Sequence, residues 1–136
     1  MTSPFADPAR DDLRPRPHKM RLVIVESPYA GDVEANLTYA RAAVRDCLLR
    51  GEAPIASHLL LTQDGILDDT IPAERAQGIN AGHAWMRVAD AVVVYTDRGI
   101  SSGMAAGIRL AQVDNVPLEY RSLQQGGADH DGTATA

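Results

Sequence analysis

The residues able to do chemistry gather in two loops and one isolated histidine. The first loop is Ser27-Pro28-Tyr29-Ala30-Gly31-Asp32. The second is Asp97-Arg98-Gly99-Ile100-Ser101-Ser102-Gly103-Met104, which leaves an apolar run and opens a helical pattern over residues 102–112. A strand, a Gly/Ser turn and a helix N-terminus together make an anion site. Free backbone N–H groups and the positive end of the helix dipole then face one spot. Ser101 or Ser102 suits the N-cap, and capping is compatible with contact to a phosphate. Arg98 is the best-placed guanidinium for that phosphate; Arg87 and Arg121 are further candidates, and a solvated surface arginine is the plain alternative. Ser27 and its neighbouring amides can hold a phosphate or a sugar, or Ser27-Pro28 simply turns the chain. Tyr29 can bond a phosphate or cover a base, and Asn36 faces either the ligand or solvent. His58 contacts a base or sugar, or is satisfied by local hydrogen bonds. Asp97 is the leading candidate for a sugar-hydroxyl acceptor or an acid, although an Asp shortly before Gly99 also suits an ordinary turn. Asp90 is a second candidate acid, with an N-cap or loop contact as its plainer role.

The elements that must position these residues alternate. Residues 21–26 are a short β-branched run suited to a central parallel strand. Residues 33–50 form a helix with Val33, Leu37, Ala40, Val44, Cys47 and Leu48 on its apolar face, Asp32 as N-cap and Gly51 as stop. Residues 53–61 are a second strand region that brings His58 near a strand's C-terminal end. A polar loop over 62–70 leads to a helix over 71–88, with Ile79, Ala84, Trp85 and Val88 turned to the core. Residues 91–96 are a third strand and 116–121 a fourth. The order β-α-β-α-β-α-β implies an α/β fold: a doubly wound, Rossmann-like parallel sheet of four to five strands, order 2-1-3-4, with helices on both faces. Ligands in such sheets bind beyond the strands' C-terminal ends at the switch point, here where the Ser27 and Asp97 loops meet.

The chain has 136 residues, enough for one domain with a modest core, placed at 20–122 between a flexible arm (1–19) and a disordered tail (123–136). Its net charge of −5 weighs against sequence-independent binding to a nucleic-acid duplex. Cys47 is the one cysteine, read as a small buried hydrophobe. Four histidines without ligand spacing predict no metal site, and no cofactor is expected. The first residues lack the apolar run of a signal peptide, and no stretch approaches the about 20 apolar residues of a membrane span. The expectation is a cytoplasmic protein without a membrane partner.

With these residues placed, the chain resembles the nucleoside 2-deoxyribosyltransferase and nucleotide N-glycosidase superfamily over about residues 21–121. The carriers are Ser27-Pro28-Tyr29 with Gly31 and Asn36, Ala89-Asp90-Ala91-Val92-Val93-Val94 at a strand entry, Ser102-Gly103-Met104 with Gly107-Ile108 at a helix opening, and Pro117-Leu118-Glu119-Tyr120-Arg121. The resemblance implies a nucleoside or nucleotide ligand, attack on or cleavage of its N-glycosidic bond, and a homodimer or higher homo-oligomer. It also implies substrate contacts from Ser27, Pro28, Tyr29, Gly31, Asn36, Ser102, Gly103 and Met104, which His58, Arg98 and Ser101 join by their own position and chemistry. The superfamily acts through a Glu on this last helix, and here the matching position is Gly107. That departure leaves two expectations: an enzyme whose acid is relocated (Asp97 first, with Asp90, Glu26 and Asp32 nearby), or a noncatalytic nucleotide sensor or accessory protein.

Overall fold

The computed structural model describes residues 20–124. The arm expected over 1–19 and the tail beyond residue 124 lie outside the described residues. Four parallel strands form one sheet: β1 (Leu22–Glu26), β2 (Ala53–Ile55), β3 (Ala91–Tyr95) and β4 (Leu118–Arg121), in the order β2-β1-β3-β4. Between them run α1 (Val33–Leu49), α2 (Ser57–Leu60), α3 (Pro72–Ala84) and α4 (Ser102–Val113). This is the α/β sheet order expected from the alternation.

The continuous apolar runs of β1 and β3 follow from burial on both faces. Successive side chains point to opposite faces of a strand. Val23, Val25, Ala91, Val93 and Tyr95 pack on one side with Ala43 and Cys47 of α1. Ile24, Val92 and Val94 pack on the other with Met86 and with Met104 and Ala111 of α4. All five residues of β3 are fully buried, so each of its valines stabilises the fold by about 1.5–3 kcal/mol.

The helix ends follow local chemistry. Asp32 caps α1 by accepting from the Ala35 amide, and Gly51 takes a φ of +78° just past its end, as a stop requires. Ser101 caps α4 by accepting from the Met104 amide at 3.2 Å.

Four expectations are corrected. The second strand ends at Ile55; Ala56 is extended and Ser57–Leu60 turn into α2, so His58 sits on a short helix. The helix expected over 71–88 ends at Ala84 and continues as a 3-10 turn, Trp85–Arg87. Ala84, Trp85 and Val88 face outward, as does Leu48 of α1; Ile79 is exposed at the rim of a cavity, while Gly82 and Met86 are buried. Gly82 is inward because α2 lies against it: a Cβ there would meet the Ser57 Cβ at 3.0 Å. Leu123, assigned to the tail, packs on the α1 side of the core, and Asp97 accepts from its amide.

Candidate functional site

The C-terminal ends of β1 and β3 open into a crevice. Its inner chamber holds about 140 Å³ and is lined by Glu26, Ser27, Tyr29, His58, His83 and the start of α4, Ser101–Met104. An outer recess of about 620 Å³ adjoins it between Tyr29–Gly31 and the loop from Thr62 to Thr70. Tyr29, Ala30 and Asp69 line both. Small-molecule sites run to about 300–1,000 Å³, so the inner chamber alone is too small for a nucleoside-sized ligand and the two together are not.

In the chamber, the Ser27 hydroxyl lies 2.7 Å from His58 Nε2. Burial lowers the His58 pKa to about 4, so the imidazole is neutral at physiological pH and pairs with Ser27 as donor or acceptor according to its tautomer. At the start of α4, the side chains of Ser101 and Met104 are engaged with the cap. No described residue accepts from the Ser102 or Gly103 amides, which are first-turn donors at the positive end of the dipole. The Arg75 guanidinium, on another wall, is held at 2.8 Å by Asp69.

Two carboxyls line this chamber, and while Asp69 is paired with Arg75, Glu26 meets no cation among the described residues. It follows Ile24 on the α4 side of β1 and faces Gly107. A Cβ on Gly107 would meet the Glu26 Cδ at 2.7 Å and Oε1 at 3.1 Å, so the glycine makes room for the carboxyl group. Burial raises the Glu26 pKa to about 8. The expected order of acids put Asp97 ahead of Glu26. The sequence carries part of the signal, since Glu26 shares the parity of Ile24, but that a glycine faces it across the layer is set by packing.

The expected acids serve other ends. Asp97 points to α1 and the chain after β4, accepting from the Tyr39 hydroxyl at 2.6 Å, the Leu123 amide at 2.8 Å and the Ser122 hydroxyl. Partial burial raises its pKa, but hydrogen bonds from Ser122, Tyr39, Leu123 and Gln124 outweigh that and hold it near 2. Asp90 stands at the opposite end of the sheet, before β3, and accepts from the Leu22 amide at 2.7 Å. Asn36 is a buried clamp: its amide donates to the carbonyls of Tyr29 and Ala30 at 3.0 Å each, and its oxygen accepts from Arg98 at 2.8 Å. Arg98 and Asn36 thus join the two loops outside the chamber. Pro28 is buried in its turn and lines neither cavity, while Gly31, at φ +100°, lines the outer recess. Arg121 is buried far from the crevice, and Arg87 is exposed. Among the described residues no group of three or more His, Cys, Asp or Glu side chains is placed to hold a metal.

A family model described as Domain of unknown function (DUF7768) matches residues 21–121. The chain belongs to this family. The DUF7768 match runs from the start of β1 to the end of β4, and so spans the whole sheet and both crevice loops. Among curated proteins none matches the chain. A solved structure, the 2-deoxyribosyltransferase of the psychrotolerant bacterium Bacillus psychrosaccharolyticus, is similar to it at 14% identity. The similarity covers 74% of this chain and 72% of that one, with a TM-score of 0.54. The DUF7768 fold is therefore related to that of a deoxyribosyltransferase. No described helix is long and apolar enough to cross a membrane.

Proposed function

We propose that this DUF7768 domain binds a nucleoside or nucleoside 5′-monophosphate in the crevice and cleaves or transfers its N-glycosidic bond. The observation that supports this most directly is the convergence of Ser27, His58, Glu26 and the open amides of α4 on one chamber. That chamber lies at the switch point between β1 and β3, where α/β sheets take ligands. The fold shared with a deoxyribosyltransferase supports the ligand class. Ser27 and the Ser102–Gly103 amides suit sugar and phosphate oxygens, and the outer recess suits the base.

A noncatalytic nucleotide sensor is the second reading, and Gly107 favours it, because the helix carries no acid toward the chamber. Following base release from a panel of nucleosides and their 5′-monophosphates, with calorimetry alongside, separates the two. Turnover supports the enzyme; binding with no turnover supports the sensor; absence of binding sinks both. For assembly we propose a homo-oligomer covering the exposed apolar strip of Leu22, Trp85 and Val88, which size exclusion with light scattering tests.

A further inference from the structure

On the α4 side of the sheet, Ile24, Val92 and Val94 of β1 and β3 are apolar, and Glu26 is the polar exception. Its carboxyl enters the sheet–helix layer only because residue 107 of α4 has no side chain. Among the described residues no cation or hydrogen-bond donor meets that carboxyl, although it lines the inner chamber together with Ser27 and His58. A structural carboxyl at such depth is normally paired, since an unpaired charge there destabilises the fold. This one is placed against the cavity instead.

We propose that Glu26 is the general acid of the crevice, donating its carboxyl proton to the departing base of a bound nucleoside. The inference rests on the nucleoside reading above and deepens it. As the bond from C1′ to the base nitrogen breaks, its electron pair leaves with the base. The Glu26 proton passes to a ring nitrogen of that base. Water adds to C1′ and loses a proton, which restores the Glu26 carboxyl. The products are free base and free sugar or sugar phosphate, and one water is consumed. The ionisable groups sharing the chamber are Tyr29, His58, His83 and the Asp69–Arg75 pair. Burial lowers the pKa of both histidines, so neither presents a positive charge to ionise Glu26 at neutral pH. The resting carboxyl therefore keeps its proton up to about pH 8.

The test uses the full chain, a panel of nucleosides and 5′-monophosphates, and 4-nitrophenyl β-riboside, whose leaving group departs without a proton. Removal of a general acid costs about 10²–10⁴-fold. Glu26→Gln is expected to lose base release by about that factor, to keep substrate affinity by calorimetry within about threefold, and to hydrolyse the nitrophenyl riboside at the wild-type rate. The wild-type rate is expected to be level up to about pH 8 and to fall above it. Unchanged base release in Glu26→Gln overturns the proposal. Equal loss on both kinds of substrate also overturns it, because that pattern belongs to a nucleophile. A wild-type rate that rises through pH 8 does the same, and needs no variant to fold. Binding by the wild type without turnover overturns the catalytic role alone, whereas failure to bind any panel member overturns the nucleoside reading beneath it.

Discussion

Two glutamates, the buried Glu52 and the half-buried Glu26, lie on opposite faces of one sheet and are treated in opposite ways. Glu52 receives both ends of the Arg121 guanidinium, at 2.8 and 2.7 Å, and Arg21 at 3.1 Å. Arg121 also donates to the Tyr95 hydroxyl at 3.2 Å, and Tyr95 donates to Asp46 at 2.7 Å, which is bridged by Arg50. The hydrogen bonds that Arg121 donates to Glu52 hold its charge in place against burial. Every member of that cluster is engaged, and none of them lines the chamber or the outer recess. Among the described residues Glu26 meets no such partner, and it opens on the chamber. A paired buried carboxylate secures the fold of this domain; an unpaired one beside a cavity stays neutral and has a proton to give.

The contrast can be broken first at its structural half. Arg121→Met leaves Glu52 buried without its bidentate partner and is expected to cost about 3–5 kcal/mol in urea unfolding. Replacing both, Arg121→Met with Glu52→Gln, should recover much of that loss. A double variant as unstable as the single one would show that packing, and not charge, governs the cluster.

Gly107→Ala should cost about 1–3 kcal/mol, because its Cβ collides with the Glu26 carboxyl. Paired with Glu26→Ala the same substitution should be tolerated, and thermal melts of the four proteins measure the coupling.

At Asp97, hydrogen bonds depress the folded pKa to about 2, so their stabilisation is present above the unfolded value and lost as pH falls toward 2. Asp97→Asn is expected to lose about 1–2 kcal/mol at pH 7. The deficit should shrink as the pH of the unfolding experiment approaches 2.

Glu26 has the reverse sign. Its folded pKa is raised to about 8, so the folded protein loses stability as pH rises from the ordinary carboxyl range through that value. Glu26→Gln should therefore match wild type at pH 4 and exceed it at pH 9, by a few kcal/mol. A gain independent of pH would mean that the carboxyl is not titrating in this window.

The smallest effect belongs to the outward residues. Trp85, 52% exposed, should tolerate replacement by Ser within about 0.5 kcal/mol in the isolated chain. A larger loss that scales with protein concentration would reveal a covering subunit.

Much of the frame was legible in the residues. The β-branched runs, the Asp32 and Ser101 caps, the stop at Gly51 and the buried Cys47 each rest on local chemistry or a short period, and the folded chain keeps them. Less of the site was legible. Ser27, Tyr29, His58 and Ser101–Met104 do come to one chamber. Asn36, Arg98, Asp97 and Asp90 do not, because each finds a hydrogen-bond partner distant in sequence: Asn36 and Arg98 one another, Asp97 Tyr39 and Leu123, Asp90 Leu22. The outward turn of Trp85 escaped for a related reason. The helical period breaks at Ala84, and the 3-10 turn rotates the residues that follow.

By itself the sequence determined the sheet order and the place of the crevice, since apolar runs, turn residues and right-handed crossovers leave little choice of topology. Only the tertiary structure decided which acid the crevice holds. A carboxylate's role is set by the donors and cations that reach it, and those come from 25 to 69 residues away in the cases of Asp97 and Glu52. Glu26, facing a glycine 81 positions along the chain, was assigned by what does not reach it.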